Sequence, residues 1–273
     1  MGTLYVFARH FGNLMKEKII SALEQIEREH GVSILYAIES GSRMWGFASE
    51  NSDYDIRFIY VGRPDYYLSV SKKNDYINYM DKENDLDFSG WDLQKALGLL
   101  WKSNMSLYEW LRSPIVYRDS PEIHSFRRMA NDFWDRKSLI YSYIHLARHN
   151  YKAYIEGRSP VKIKKYLYIL RTIAACIYTE QNNDVPPILV QDLLPVLEHN
   201  DEYIGSFMRT IVDRKKSGEE LSSSTPDMRA NEWIERQLEY YFSLAESMPQ
   251  KERDITILDR FLCETALKFF GEL

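Results

Sequence analysis

Residues 41–56 read Gly-Ser-Arg-Met-Trp-Gly-Phe-Ala-Ser-Glu-Asn-Ser-Asp-Tyr-Asp-Ile, a turn of small residues followed by two closely spaced aspartates. The turn follows the apolar run 34–38, and the aspartates open a second apolar run, 56–61. Both runs have the composition of buried strands. Because side chains alternate between the faces of a strand, Asp53 and Asp55 point to the same side. Two carboxylates beside such a turn suit a divalent cation that holds a phosphorylated substrate.

The Gly-Ser turn itself is a candidate phosphate-binding element. Gly41 and Ser42 lead from the first strand into a short helical turn, where backbone N–H groups and a hydroxyl can face a phosphate chain. Arg43 adds a positive charge beside them or faces solvent. An ordinary strand-to-helix turn has the same composition, so this interpretation depends on the aspartates that follow it.

These residues together resemble a known family. The pattern Gly41-Ser42, Gly46 and Ser52-Asp53-x-Asp55 is similar to the signature of the DNA polymerase beta-type nucleotidyltransferase superfamily. That family usually has a third carboxylate on a nearby strand. Asp87 is the candidate for it, and Asp85, on the same predicted strand face, is the alternative.

The chain resembles in more detail one little-characterised bacterial branch of predicted nucleotidyltransferases. The spacing from Asp87 through Trp91-Asp92-Leu93 to Lys95 is similar to that branch. The run 164–171 and the pair Pro186-Pro187 also resemble its helical half. The resemblance therefore covers most of the chain, from about Ile34 to Leu194.

The resemblance implies a catalytic site and its cofactor. It implies that Asp53, Asp55 and Asp87 are catalytic and bind Mg²⁺ or Mn²⁺. It also implies that Gly41 and Ser42 hold the phosphates of a nucleoside triphosphate, which leave as pyrophosphate.

A basic stretch in the second half of the chain is a further candidate for nucleotide binding. Residues 148–171 contain seven cations and one acid, a net +6 in a chain whose net charge is −5. Lys164, Tyr168 and Arg171 fall within a ~60° arc of one predicted helix. We predict that they face the cleft and bind the nucleotide. If they are solvated in the free protein, Arg171→Ala should barely change its stability. The alternative is the exposed edge of an amphipathic helix.

The predicted fold class is α+β: a small nucleotidyltransferase-like mixed sheet with flanking helices, followed by an all-helical domain. The predicted domains are residues 1–114 and 115–273. The predicted strands are 33–39, 54–61, 76–80 and 85–90. The predicted helices are 14–29, 92–102, 107–112, 122–134, 138–155, 161–180, 188–199, 201–214, 229–247 and 255–270. Residues 213–227 are predicted to form an exposed loop.

Bulk composition excludes several classes of protein. The 273 residues are 45% apolar and 27% charged, which is ordinary for a globular protein. No stretch approaches the roughly 18 apolar residues of a membrane span. The N-terminus lacks the features of a signal peptide. Cys176 and Cys263 are expected to be reduced core thiols, so we expect a cytoplasmic protein without a membrane partner.

The favoured function is metal-dependent transfer of a nucleoside monophosphate to an acceptor. The acceptor stays open between a protein, an RNA and a small molecule. The alternative is a non-catalytic nucleotide-binding sensor or a toxin–antitoxin-like partner protein. A nucleic-acid-modifying enzyme is disfavoured by the net charge of −5 but is kept open by the basic stretch.

Overall fold

The two strands that flank the Gly-Ser turn lie at the centre of a five-stranded sheet. The computed structural model describes residues 2–71, 73–219 and 223–271. The strands of the sheet are β1 (Ser33–Glu39), β2 (Tyr54–Val61), β3 (Tyr76–Asp81), β4 (Leu86–Asp92) and β5 (Val116–Asp119). Their order is β3-β4-β2-β1-β5, with β2 parallel to β4 and every other pair antiparallel. The predicted mixed sheet is therefore confirmed.

Helices flank this sheet and make up most of the second half of the chain. The helices are α1 (Gly2–His30), α2 (Gly41–Met44), α3 (Pro64–Tyr67), α4 (Leu93–Trp101), α5 (Met105–Leu111), α6 (Pro121–Phe133), α7 (Arg136–Tyr154), α8 (Lys164–Asn182), α9 (Val190–Asn200), α10 (Glu202–Lys216), α11 (Met228–Ser247) and α12 (Thr256–Phe270). Side-chain caps from aspartate or asparagine start several of them, since these residues accept a bond from an unpaired N–H of the first turn. The capping residues are Asp92, Asn104, Asp135, Asp201 and Asp227.

Both faces of the sheet are covered, because its central strands are apolar on both sides. One face packs against α1 through the buried β2 side chains Ile56, Phe58 and Tyr60. The alternate residues Ile59 and Val61 belong to the larger cluster that continues into the helical half. Asp55 shares their parity along β2 and therefore lies on the face that looks towards the helices.

A single apolar cluster connects the sheet with the helical half. It runs from Leu35 in β1 and Val61 in β2 to Leu170 in α8 and Ile234 in α11. Strand β5 joins the sheet although it begins after residue 114, where the first predicted domain ends. The division of the chain at that residue remains a proposal.

Most predicted elements are present, and the exceptions are short. Strand β5 was not predicted, and neither were the two-residue strands β6 (Val161–Lys162) and β7 (Ser223–Ser224), which pair with each other. Strand β6 lies at the predicted start of α8. Strand β7 lies in the predicted loop 213–227, and residues 220–222 of that loop fall outside the described residues.

One expectation about the thiols is wrong. Cys176 is buried, but Cys263 is exposed on α12, because the outer face of that helix is not covered. Across the described ranges, we find no helix whose length and apolar character would let it cross a membrane.

Candidate active site

A cavity of about 540 Å³ lies between the sheet and the helical half. Its sheet-side wall comes from the Gly-Ser turn and the start of β2, and its opposite wall comes mainly from α5 and α8. Most of the predicted site residues line it: Gly41, Ser42, Asp53, Asp55, Lys164, Tyr168 and Arg171. Asp87 contacts a lining residue, Arg57, from the neighbouring strand. The fold thus gathers residues from three distant segments of the sequence around one space.

Two hydrogen bonds hold the backbone of Asp55 in place. Its N–H donates to Oε1 of Glu39 at 2.8 Å, and its carbonyl accepts from the N–H of Ser40 at 2.8 Å. Glu39 is fully buried at the end of β1, and the hydroxyl of Tyr117 donates to its Oε2 at 2.5 Å. Burial raises the pKa of Glu39 above its usual value. This buried carboxyl group fixes the position from which the Asp55 side chain enters the cavity.

The glycine of the Gly-Ser turn makes room for that side chain. A Cβ atom on Gly41 would lie 2.2 Å from Oδ2 of Asp55, and Gly41 has a φ of +60°. The left-handed backbone conformation and the close approach both require glycine at this position. The signature glycine therefore acts as a cradle for one carboxylate oxygen.

The register of the sheet places Asp87, and not Asp85, beside Asp55. Asp55 and Asp87 are direct partners in the parallel pairing of β2 with β4. Nη2 of Arg57 lies 2.9 Å from Oδ1 of Asp55 and 2.9 Å from Oδ2 of Asp87. Asp85 lies before β4 in the turn after β3, where it is exposed and has a φ of +52°. Asp85 and Asp87 therefore do not share a strand face, contrary to the expectation from the sequence.

This placement gives a prediction that separates the two carboxylates. Asp87→Ala should abolish transfer activity, because it removes the carboxylate opposite Asp55. Asp85→Ala should keep most of the activity, since its side chain lies in an exposed turn. Steady-state rates of nucleotide incorporation would test both variants, and an inactive Asp85→Ala protein with an active Asp87→Ala protein would refute the assignment of Asp87 as the third carboxylate.

Asp53 is exposed at the entrance of the cavity, and Arg43 shapes the loop that carries it. The guanidinium of Arg43 donates to the carbonyl oxygens of Ser52 at 2.7 Å and Asp53 at 3.2 Å. It also stacks over the ring of Tyr54 at 3.8 Å. These contacts give Arg43 a structural task beside its proposed role in phosphate binding.

Lys164, Tyr168 and Arg171, the three residues of α8 that are predicted to bind the nucleotide, differ in their exposure. Arg171 is only 3% exposed, and its Nη1 lies 2.6 Å from Oε1 of Glu109, whose side chain is 4% exposed. The guanidinium also stacks on Trp45 at 4.1 Å. Arg171 is therefore not solvated, because α5 supplies a buried partner, and the condition for an unchanged stability of Arg171→Ala is not met. Lys164, by contrast, is exposed at the cavity.

Tyr168 lies between this buried pair and the carboxylates. Its ring packs near Trp45, with centroids 5.9 Å apart, and near Phe47 at 6.4 Å. Burial raises the pKa of its hydroxyl, and the negative charges of Asp55 and Asp53 raise it further. Tyr168 therefore lines the cavity with a hydroxyl whose loss of a proton is disfavoured.

The other residues of the bacterial-branch spacing have structural contacts. Trp91 stacks on Trp110 with ring centroids 3.6 Å apart, and both line the cavity. Asp92 caps α4 by accepting from the N–H of Gln94 at 2.8 Å and also accepts from the hydroxyl of Tyr67 at 2.8 Å. Burial raises the pKa of Asp92 to about 6. This carboxyl group stabilises the helix start and does not line the cavity.

The donor set at the cavity fits Mg²⁺ or Mn²⁺. Asp53, Asp55 and Asp87 offer carboxylate oxygens, which these hard cations prefer. Burial raises the pKa of Asp55, the nearby charge of Arg57 opposes this rise, and repulsion from Asp87 and Asp53 adds to it. Within residues 2–71, 73–219 and 223–271, no three His, Cys, Asp or Glu side chains are arranged to hold a metal ion as they stand. A bound metal would therefore require side-chain movements around Arg57, which is paired with Asp55 and Asp87.

Three charged residues of the site were missed from the sequence: Glu39, Arg57 and Glu109. Glu39 ends one apolar strand and Arg57 lies inside another, and a charge in a strand that is buried on both faces is a usable signal. Arg57 also has the same parity as Asp55, which a strand period of two would have indicated. Glu109 gave no such signal, because its partner on α8 is distant in the sequence.

Comparisons with known proteins identify the family of the chain. Residues 15–264 match the model of the RlaP family, described as the RNA repair pathway DNA polymerase beta family. The chain is 40% identical over 254 residues to "Uncharacterized protein YcgL" of Bacillus subtilis (strain 168), which covers 92% of this chain and 96% of the relative. The chain therefore belongs to this family of DNA polymerase beta-like nucleotidyltransferases, which confirms the resemblance recognised in the sequence.

A solved structure is a more distant match. The crystal structure of a nucleotidyltransferase-like protein from Exiguobacterium sibiricum 255-15 is 11% identical, with a TM-score of 0.33. The match covers 93% of this chain and 77% of that one. A similarity at this level supports no conclusion about the site.

Proposed function

We propose that this member of the RNA repair pathway DNA polymerase beta family transfers a nucleoside monophosphate from a nucleoside triphosphate to the end of an RNA. The observation that carries the proposal is that Asp55 and Asp87 converge on the guanidinium of Arg57, beside the cavity that the Gly-Ser turn also lines. A site with converging carboxylates and a phosphate-binding turn suits displacement at a phosphorus atom.

The Gly-Ser turn and the three aspartates have distinct parts in this reaction. Gly41 and Ser42 contact the β- and γ-phosphates with the N–H groups of the α2 start and the Ser42 hydroxyl, since the first amides of a helix have no intrahelical acceptor. The acceptor hydroxyl oxygen attacks the α-phosphorus, and the bond to the bridging oxygen of the β-phosphate breaks. Asp87 takes the proton of the attacking hydroxyl, and pyrophosphate leaves.

Asp53, Asp55 and Asp87 would hold Mg²⁺ or Mn²⁺. The metal ions supply electrostatic stabilisation of the charge that develops on the attacking and leaving oxygens. Glu39 keeps the Asp55 backbone in place, and the cradle at Gly41 keeps one Asp55 oxygen against the phosphate-binding turn. These contacts pre-organise the site, so little reorganisation is needed at the moment of reaction.

Two features support an RNA acceptor. The family description names an RNA repair pathway. Lys164 and Lys215 line the cavity from α8 and α10, and within the described residues neither forms an ion pair with an acid. Cations at the mouth of an acidic cavity suit a phosphodiester backbone that must approach the carboxylates.

A comparison of α-labelled with γ-labelled nucleoside triphosphates tests the proposal. The protein is incubated with each labelled nucleotide, Mg²⁺ or Mn²⁺, and a lysate of the source cell that is divided into RNA, protein and small-molecule fractions. The α-label is expected in the RNA fraction, released by ribonuclease and absent when EDTA is added.

Transfer of the γ-label would contradict nucleotidyl transfer and indicate a kinase-like reaction. The α-label in protein or in a small molecule would retain nucleotidyl transfer but refute the RNA acceptor. Nucleotide binding without transfer of either label would favour a non-catalytic sensor.

A further inference from the structure

We propose that Arg57 is a built-in counter-cation of the carboxylate pair: it neutralises Asp55 and Asp87 in the metal-free protein and competes with a divalent metal for them. The inference rests on the proposed function, because it concerns metal binding by the same two side chains. It assigns a role to a residue that lies outside the Gly-Ser and aspartate signature.

The position of the guanidinium is the first observation. One nitrogen of Arg57, Nη2, lies 2.9 Å from Oδ1 of Asp55 and 2.9 Å from Oδ2 of Asp87. A metal shared by these carboxylates would need oxygen contacts of about 2.0–2.6 Å on the same inner side. The guanidinium nitrogen and a metal shared by the two carboxylates would therefore compete for the same oxygens.

The second observation is that Arg57 is anchored independently of the carboxylates. Its Nη1 donates to the backbone carbonyl oxygens of Asp87 at 3.0 Å and Ile56 at 3.1 Å. These acceptors belong to the paired strands β2 and β4, which do not move with the side chains. A metal that displaces Nη2 from the carboxylates would thus leave the positive charge next to it, and the repulsion would weaken metal binding.

The third observation is the need for a counter-charge when no metal is present. The side chains of Asp55 and Asp87 are only 33% and 41% exposed, and they are direct neighbours on parallel strands. Two partly buried carboxylates on directly paired residues repel each other unless a cation lies between them. Arg57, at 18% exposure, supplies that cation and stabilises the metal-free fold.

The test is the Mn²⁺ affinity of Arg57 variants, measured without nucleotide by following free Mn²⁺ in electron paramagnetic resonance. Arg57→Gln should bind Mn²⁺ at least about tenfold more tightly than the parent, because the competing charge is gone. Mn²⁺ should also raise the melting temperature of Arg57→Gln by more than that of the parent. A damaged site would bind the metal more weakly, so tighter binding cannot result from a purely structural defect.

Two further variants are the controls. Arg57→Lys keeps the charge and should stay near the parent affinity. Arg63→Gln removes an exposed arginine just after β2, whose side chain is 63% exposed, and should leave Mn²⁺ binding unchanged. If Arg57→Gln does not fold without metal, its refolding is followed as Mn²⁺ is added: recovery of the fold supports the proposal, and failure to recover overturns it.

Equal or weaker Mn²⁺ binding by Arg57→Gln, in a comparison where the parent binds, would overturn the role of Arg57 alone. Weaker binding would mean that Arg57 orients the carboxylates for the metal. If neither protein binds Mn²⁺, even with a non-reactive triphosphate analogue, the proposed function is refuted and this inference with it.

Discussion

The Asp53→Asn variant is expected to transfer nucleotide about a thousandfold more slowly than the parent, a loss of roughly 4 kcal/mol of transition-state stabilisation. The substitution keeps the shape of the side chain but removes a charged metal ligand. Asp53 is exposed, and among the described residues its carboxylate forms no hydrogen bond or ion pair with another side chain. The melting temperature of the Asp53→Asn variant should therefore equal or slightly exceed that of the parent, since one repelling charge near Asp55 is lost.

A single exposed carboxylate elsewhere provides the matched control. Asp65→Asn makes the same chemical change on a side chain that is 67% exposed and lies outside the cavity. It should keep both the parent rate and the parent stability. A large loss of stability in Asp53→Asn would show that Asp53 serves the fold, and an unchanged rate would remove it from the catalytic set.

Arg171→Ala is expected to destabilise the protein by about 3–5 kcal/mol, because it leaves the carboxylate of Glu109 buried without its partner. The stacking of the guanidinium on Trp45 is lost as well. Urea denaturation measures the change in the free energy of unfolding. The double variant Glu109→Gln/Arg171→Gln removes both charges and should be more stable than Arg171→Ala.

An exposed ion pair is the comparison for this effect. Arg209 pairs with Glu198 at 2.5 Å on the surface, and Arg209→Ala should cost only about 0–1 kcal/mol. A similarly small effect of Arg171→Ala would contradict a buried ion pair at this place. Such a result would also favour the alternative that Lys164, Tyr168 and Arg171 form the exposed edge of an amphipathic helix.

Local patterns in the sequence predicted most of the fold. Continuous apolar runs located β1 and β2, which are buried on both faces, and the helical period located nearly every helix, because most helices bury one regular apolar face. Strand β5 escaped prediction because it has four residues and is stabilised by pairing with β1, far away in the sequence. Non-local pairing of this kind leaves no periodic trace in a short segment.

The site was predictable where one segment carries the chemistry. Gly41, Ser42, Asp53 and Asp55 lie in a single stretch, and all of them line the cavity. The resemblance favoured Asp87 over Asp85, but its position opposite Asp55 comes from the register of β4 against β2, which depends on how the chain between the strands folds.

Burial was the property that the sequence predicted least well. The helical spacing correctly grouped Arg171 with Lys164 and Tyr168 along the cavity. The burial of Arg171 depends on Glu109, which is 62 positions away in the sequence. A contact between two charged side chains at such a separation follows from the packing of α5 against the helical half, and no local pattern contains it.

The most direct test of the account is the position of the metal in the nucleotide-bound protein. Crystals of the protein with Mn²⁺ and a non-reactive nucleoside triphosphate analogue would locate the metal by its anomalous scattering. We expect Mn²⁺ within about 2.0–2.6 Å of carboxylate oxygens of Asp53 and Asp55, with the triphosphate against Gly41 and Ser42. A metal and a triphosphate bound outside this cavity would contradict the central claim that these carboxylates form the nucleotidyl-transfer site.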